Sequence, residues 1–123
     1  MSIARSAKGA RARREGRRGE WLCAILLMLK GYRLLGFRLR LNAAEIDLLA
    51  VKSGVVVIVE VKRRRTLAEA LEAVSWPQRQ RLLAAANAIA GRRPDLADAP
   101  VRLDLIALAP GRFPRHIRNA WAD

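Results

Sequence analysis

The fold of this chain is decided by one stretch, EIDLLAVKSGVVVIVEVK, which occupies residues 45–62 of the 123. Its two halves are dense in Val, Ile and Leu, and this pattern predicts two β-strands. The dipeptide Ser53-Gly54 between them is small and polar, and it predicts a short hairpin connection. The stretch therefore predicts an antiparallel hairpin inside a sheet.

Centring the turn on that dipeptide places charged side chains opposite one another in apolar surroundings. Asp47 then faces Glu60, and Glu45 faces Lys62. Directly opposed side chains have Cβ atoms about 5 Å apart, and two carboxylates at that separation repel each other. Either one carboxyl stays protonated, or Lys62 neutralises the acids in a structural salt-bridge cluster, or a divalent cation binds between them. Carboxylate oxygens are ligands that suit Mg²⁺ or Mn²⁺.

Length and composition indicate one folded domain. We expect a basic N-terminal arm over residues 1–15, partly disordered or helical, and a single domain over residues 16–123. A hydrophobic content of 52% excludes a disordered protein, while the apolar run over residues 21–29 is too short to span a bilayer. We therefore expect no membrane partner. Cys23 is the only cysteine, which excludes a disulfide or a zinc cluster within one chain and suits a cytoplasmic location.

The charge balance indicates a polyanionic partner. The chain has 24 Lys and Arg residues against 11 Asp and Glu residues, for a formal net charge of +13. Such an excess favours binding to nucleic acid, because Lys and Arg contacts to phosphates release counterions whatever the base sequence. An acidic protein partner is an alternative that composition alone leaves open.

Apolar residues at helical spacing predict a first helix over residues 16–30. Its inward stripe is predicted to consist of Trp21, Ala24, Leu27 and Met28, with Glu20 one turn earlier on the same face. An acid on the inward face of a helix is either paired or functional.

The remaining pattern completes an α/β domain. A first strand is predicted over residues 32–41, broken near Gly36, and a last strand over residues 101–109. Between the hairpin and that last strand, Thr66 is predicted to cap one helix and Pro77 to begin another. The order is αβββααβ, with a mixed sheet, a central antiparallel hairpin and flanking helices.

An ordered set of residues in this chain resembles a known superfamily. An acid on the first helix (Glu20), an acid on the second strand (Asp47) and a Glu-x-Lys on the third (Glu60, Lys62) resemble the PD-(D/E)XK nucleases, which have the restriction-endonuclease-like fold. More narrowly, the chain resembles the small bacterial YraN-type family of predicted endonucleases, related to Holliday-junction resolvases. The motifs behind that narrower likeness are Gly19-Glu20, Glu45-Ile46-Asp47, Glu60-Val61-Lys62, Arg102-Leu103-Asp104 and the segment from His116 to Trp121.

The chain departs from the family pattern at two positions. Ile46 stands where the superfamily's name has proline, and Ala44 stands where a glycine usually precedes the Glu-Ile-Asp. A glycine would permit a bulge or a positive φ, so the departure at Ala44 concerns the local geometry of the strand and not the carboxylates.

The resemblance implies a Mg²⁺- or Mn²⁺-dependent DNA endonuclease that hydrolyses phosphodiester bonds, with branched or structured DNA as the expected substrate and a homodimer left open. It implies metal ligation by Asp47, Glu60, the Val61 carbonyl and Glu20, and a catalytic set of Glu20, Asp47, Glu60 and Lys62. The residues expected to contact DNA phosphates are Arg63, Arg64, Arg65, Gln78, Arg79 and Arg81. The main alternative is a catalytically inactive nucleic-acid-binding protein with the same fold and basic surface.

Overall fold

A five-stranded mixed sheet forms the centre of the structure, a computed structural model that describes residues 18–122. Residues 18–29 form helix α1. The elements that follow are β1 (Arg33–Leu41), β2 (Ala44–Lys52), β3 (Val55–Arg63), α2 (Leu67–Glu72), α3 (Trp76–Gly91), β4 (Val101–Leu108) and β5 (Arg115–Ile117). The basic arm predicted over residues 1–15 lies outside the described residues.

The strands lie in the order β1-β2-β3-β4-β5. All neighbouring pairs are antiparallel except β3 and β4, which are parallel. A parallel pair needs a crossover connection, and α2 and α3 supply it. The predicted mixed sheet with an antiparallel hairpin is confirmed, and β5 is an additional strand that the sequence did not predict.

The β2–β3 hairpin has the predicted register. Its pairs run from Leu48 opposite Val59 to Lys52 opposite Val55. The turn residues Ser53 and Gly54 have φ values of 52° and 75°. Two consecutive positive φ angles are the signature of a type I′ turn, whose twist matches that of the flanking strands. The turn chemistry and the apolar pattern therefore fix the same pairing.

Helices cover both faces of the sheet. On one face, α1 packs through Cys23, Ala24 and Leu27 against β2, β3 and β4. On the other face, α3 packs through Leu82, Ala85, Ala86 and Ala90 against β2, β3 and β4, and α2 packs through Ala70 against β4. The residues of β3 alternate between these faces, with Val57 and Val59 toward α1 and Val56 and Ile58 toward α3.

The inward face of α1 differs from the prediction. Trp21 and Met28 were predicted to be inward, but they are 59% and 49% exposed. Ala24 and Leu27 are fully buried as predicted, and Cys23 is buried as well, because small side chains let the helix lie close to the sheet. Within residues 18–122, no helix is both long and apolar enough to cross a bilayer.

The two helices on the opposite face begin near the predicted residues. Thr66 caps α2, and its side chain accepts a 3.1 Å hydrogen bond from the Glu69 N–H. Ser75 caps α3 and accepts from the Gln78 N–H at 3.3 Å, with Pro77 in the first turn. Hydroxyl caps satisfy backbone donors that the first turn of a helix leaves free.

Candidate functional site

The β2–β3 ladder ends where the two central carboxylates lie. Leu48 and Val59 form the last backbone pair on that side of the hairpin. Beyond it, the Asp47 N–H donates to Glu60 Oε2 at 3.2 Å, and the Val61 N–H donates to Asp47 Oδ2 at 2.9 Å. Each carboxylate thus accepts a hydrogen bond from the backbone of the other strand. The two acids occupy the gap between diverging strands.

An irregularity in the neighbouring strand explains how Asp47 comes to this position. The flanking β1–β2 pairs are Phe37 with Leu48 and Leu39 with Ile46, and between them Arg38 has a φ of 48°. Ile46 and Leu48 pack in the clusters on opposite faces of the sheet, although both have even numbers. Regular alternation would place them on one face, so the strand changes phase at Asp47.

Burial disfavours the state in which both carboxyl groups are ionised. Glu60 is only 2% exposed. Desolvation, and then the negative charge of Asp47, raise the pKa of Glu60 to about 8. Desolvation also raises the pKa of Asp47, although the hydrogen bond from the Val61 N–H opposes the shift. The positive charge of Lys62 lowers both pKa values and so opposes these shifts.

Glu20 approaches this pair from α1. Its negative charge contributes to the raised pKa of both Asp47 and Glu60. Glu20 Oε2 lies 2.7 Å from Arg38 Nε in an ion pair. Arg38 thus links the third acid to the irregular point of β1.

Gly19 lets α1 come close to the end of the sheet. A Cβ atom at this position would lie 2.8 Å from Leu108 Cδ1 and 3.2 Å from Arg63 Nη2. Any side chain here would have to displace these two side chains.

The extended register predicted that Glu45 lies opposite Lys62, and this prediction is wrong. The ladder ends before this point, so the two residues are no longer opposite each other. Glu45 instead lies across from Arg40 in the β1–β2 pairing, and Glu45 Oε2 is 3.4 Å from Arg40 Nη2.

The carboxylate oxygens suit a hard divalent cation. The hydrogen bonds within residues 18–122 engage Asp47 Oδ2 and Glu60 Oε2. Within this part of the chain, the second oxygen of each carboxylate remains available as a ligand. No group of three or more His, Cys, Asp or Glu side chains in this part of the chain is placed to hold a metal. The fit consequently rests on two carboxylates, a backbone carbonyl and water.

Four of the six predicted DNA-contacting residues line two separate cavities. Arg64 and Arg65 line a cavity of about 240 Å³ with Arg112 and Arg115. Gln78 and Arg81 instead line a cavity of about 200 Å³ beside Glu45. Both cavities carry basic side chains, but the structure does not bring the six predicted residues into one surface.

Arg79 is engaged in the fold. Its Nη1 donates to the Val74 carbonyl at 2.9 Å, and its guanidinium lies 5.4 Å from the centroid of the Trp121 ring. The side chain therefore connects α3 to the C-terminal segment. Contact with DNA through Arg79 would compete with these interactions.

A second ionic cluster surrounds Asp104 in β4, which is fully buried. Its carboxylate receives two 2.8 Å hydrogen bonds from Arg102, one from the Asn119 N–H at 2.9 Å, and lies 2.8 Å from His116 Nε2. Arg102 also donates to the Tyr32 hydroxyl at 2.9 Å. Burial alone would raise the pKa of Asp104, but the contacts with His116, Arg102 and Asn119 outweigh it and lower the pKa to about 2.

The resemblance singled out Asp104 and the segment from His116 to Trp121, but no spacing in the sequence indicates that His116 and Asn119 contact Asp104. An acid in the middle of a buried strand is the one signal that requires partners, and Arg102 is the nearest in sequence. The other partners come from β5 and the segment after it, which the apolar pattern did not predict.

Comparison with known sequences adds a family assignment. The profile described as Uncharacterised protein family UPF0102 matches residues 19–108, a range that includes Glu20, Asp47, Glu60 and Lys62. A UPF0102 protein of Caulobacter sp. (strain K31) is 60% identical over 119 residues, covering 97% of this chain and 86% of the relative. The UPF0102 protein of Chelativorans sp. (strain BNC1) is 50% identical over 112 residues, covering 91% and 90%.

Proposed function

Given that the chain belongs to the bacterial uncharacterised protein family UPF0102, we propose that it is a metal-dependent DNA endonuclease of the PD-(D/E)XK superfamily with a restriction-endonuclease-like fold. The observation that carries the proposal is the contact of Asp47 and Glu60 at the end of the hairpin ladder. A buried carboxylate (Glu60) beside a half-buried one (Asp47) weakens a fold unless a proton or a cation compensates their charge. A bound divalent cation would compensate this charge and could take part in catalysis.

Asp47 and Glu60 would hold Mg²⁺ or Mn²⁺, together with the Val61 carbonyl and with Glu20 beside them. The bound cation supplies Lewis acidity and a hydroxide-like nucleophile for phosphodiester hydrolysis. Lys62 orients the attacking water and stabilises the charge that develops on the phosphate. Lys62 brings a positive charge to a site of negatively charged groups, so an electrostatic role suits it better than that of a general base.

The basic residues at the end of β3 and directly after it bind the DNA backbone. Arg63, Arg64 and Arg65 directly follow Lys62, so they extend positive charge away from the carboxylates. Phosphate contacts of this kind position a nucleic acid without reading its sequence. Branched or structured DNA is the proposed substrate, and Gln78 and Arg81 offer a second contact beside Glu45.

Cleavage assays with a matched pair of variants test the proposal. Wild type, Glu60→Gln and Glu72→Gln are incubated with branched, flapped and linear DNA in Mg²⁺, Mn²⁺ and chelator. Glu72 is an exposed acid at the end of α2 and serves as the control. Glu60→Gln should lower the cleavage rate by about 10²–10³-fold, because it removes a charged ligand, while Glu72→Gln should cut like wild type. If wild type cuts nothing, or if Glu60→Gln cuts equally well, the proposal fails.

The Glu20–Arg38 ion pair favours one alternative, a catalytically inactive nucleic-acid-binding protein. In this pair the Arg38 guanidinium already neutralises Glu20, the third acid of the site, so Glu20 needs no metal ion. The alternative requires DNA binding that weakens steeply with salt, persists in Glu60→Gln and is accompanied by no cleavage. A failure to bind DNA even at low salt would instead indicate an acidic protein partner.

A further inference from the structure

The outer face of α1 exposes a continuous row of large apolar side chains. Leu29 is 81% exposed and Trp21 is 59% exposed. Leu22, Ile25 and Met28 are each about half exposed, and these residues recur at three- and four-residue steps along one side of the helix. We call these five residues the α1 outer face.

Phe37 of β1 extends this face beyond the helix. Its ring centroid lies 5.1 Å from that of Trp21, and the side chain is 37% exposed. A fully exposed large side chain presents about 150–250 Å², so the six exposed fractions correspond to about 600 Å² of apolar surface. Monomeric proteins rarely expose a larger patch, and patches of this size mark interaction sites.

The chemistry of this face does not suit the phosphate backbone of DNA. DNA phosphates require cations, and none of the five residues of the α1 outer face is charged.

We propose that the α1 outer face and Phe37 form the interface between two copies of this chain. Two faces of about 600 Å² bury about 1,200 Å² in total, which is the lower end of the range for stable protein–protein interfaces. A twofold interface brings the same patch of both copies together, and a uniformly apolar helix face is complementary to itself. The proposal concerns assembly and stands independently of the nuclease activity proposed above.

An antiparallel arrangement of the two α1 helices suits the row of side chains. Ile25 lies at its middle, between Trp21 with Leu22 at one end and Met28 with Leu29 at the other. A twofold axis beside Ile25 therefore places this residue against Ile25 of the second copy. The same axis places Trp21 against Leu29 of the second copy, which matches the largest side chain with one of the most exposed.

The salt dependence of association distinguishes this interface from contacts driven by charge. Each copy has a formal net charge of +13, so two copies repel each other in dilute buffer. Added salt screens that repulsion and leaves the apolar contact intact. Self-association should therefore strengthen as salt rises, whereas binding to DNA or to an acidic protein should weaken.

Sedimentation or light scattering at about 0.1 M and about 0.5 M salt measures the assembly of the full chain. Wild type should form a dimer that strengthens with salt. Leu29→Glu should raise the dimer dissociation constant by about a hundredfold, because it introduces an unpaired charge into the contact. Phe113→Glu is the matched control, since Phe113 is 92% exposed and lies outside the patch. Wild type that stays monomeric at both salt concentrations overturns the proposal, as does equal weakening by both variants.

Oxidative cross-linking of Ile25→Cys provides a readout that does not depend on affinity. Two cysteines beside a twofold axis form an intermolecular disulfide readily, whereas Phe113→Cys should cross-link only by slow collision. The native Cys23 can remain, because it is fully buried. If Ile25→Cys cross-links no faster than Phe113→Cys, the interface is wrong. Binding of the monomer to anionic lipid vesicles, lost in Leu29→Glu, would assign this face to a membrane surface and overturn the proposal.

Discussion

Replacing Glu60 by glutamine tests the energetic meaning of the carboxylate pair directly. In the folded chain, burial and the charge of Asp47 raise the pKa of Glu60 from 4.5 to about 8. Glutamine has nearly the same shape, and its amide oxygen can still accept the hydrogen bond that the Asp47 N–H donates to Glu60 Oε2. The substitution therefore removes a titrating charge and keeps the contact.

The sign of the effect follows from proton binding. The folded chain binds the Glu60 proton more tightly than the unfolded chain, so the free energy of unfolding falls as pH rises from about 4.5 to about 8. Each pH unit within this window corresponds to about 1.4 kcal/mol, which gives an upper bound of about 5 kcal/mol. Joint titration with Asp47 and local relaxation reduce this value. We expect Glu60→Gln to be more stable than wild type by about 2 kcal/mol near pH 9 and equally stable near pH 4.

Urea unfolding of both proteins at several pH values, in the presence of chelator, measures this difference. Glu72→Gln, an exposed change of the same kind, should follow wild type at every pH. Addition of Mg²⁺ should stabilise wild type but not Glu60→Gln, by about 2.7 kcal/mol when the free cation is at a hundred times its dissociation constant. A difference between wild type and Glu60→Gln that is the same at all pH values would refute the reasoning.

Two further changes probe other parts of the fold. Asp104→Asn should lower the free energy of unfolding, measured in urea near neutral pH, by about 3–5 kcal/mol. The substitution leaves the donors of Arg102 and His116 without a charged acceptor. Asp98→Asn, a change at an exposed residue, is the control and should have little effect. Because the pKa of Asp104 is lowered from 3.8 to about 2, its contribution is present above about pH 4 and disappears toward pH 2, so the gap to the variant should narrow there. Ser53→Asn should raise the melting temperature through a gain of about 0.5 kcal/mol, because asparagine tolerates the φ of 52° better than serine; an unchanged or lower melting temperature would contradict the type I′ turn.

The hairpin could be predicted from sequence because two independent signals agree there. The apolar pattern indicates the strands, and Ser53-Gly54 provides a turn with two positive φ angles. The same register failed for Glu45, because it was extended past Leu48, where the backbone ladder ends. Sequence periodicity contains no information about where two strands diverge.

The orientation of α1 could not be predicted for a different reason. Its apolar residues surround the helix, so periodicity alone does not select the face that meets the sheet. Close packing decides in favour of the small residues Cys23 and Ala24, and the larger Trp21 remains outside. Only the shape of the opposing sheet distinguishes these possibilities.

The C-terminal strand and its contacts were missed because a short strand has almost no pattern. β5 has three residues, Arg115–Ile117, and only Ile117 is apolar. Its position depends on the hydrogen bonds to Asp104, which lies 12 residues before His116. The juxtaposition of Asp47 and Glu60 was predictable because both residues lie on one hairpin, whereas the ion pair of Glu20 with Arg38 depends on the irregular backbone of β1.

The partners of Asp104 also constrain when the chain can fold during its synthesis. β4 lies between β3 and β5, and its buried carboxylate needs His116 and the Asn119 N–H. A nascent chain that has reached β4 but not these residues would bury an acid with only part of its hydrogen bonds. The hairpin can form early from local contacts, but closure of the sheet must wait until residues 116–119 leave the ribosome. The sheet is therefore completed only after residues 116–119 have joined β4.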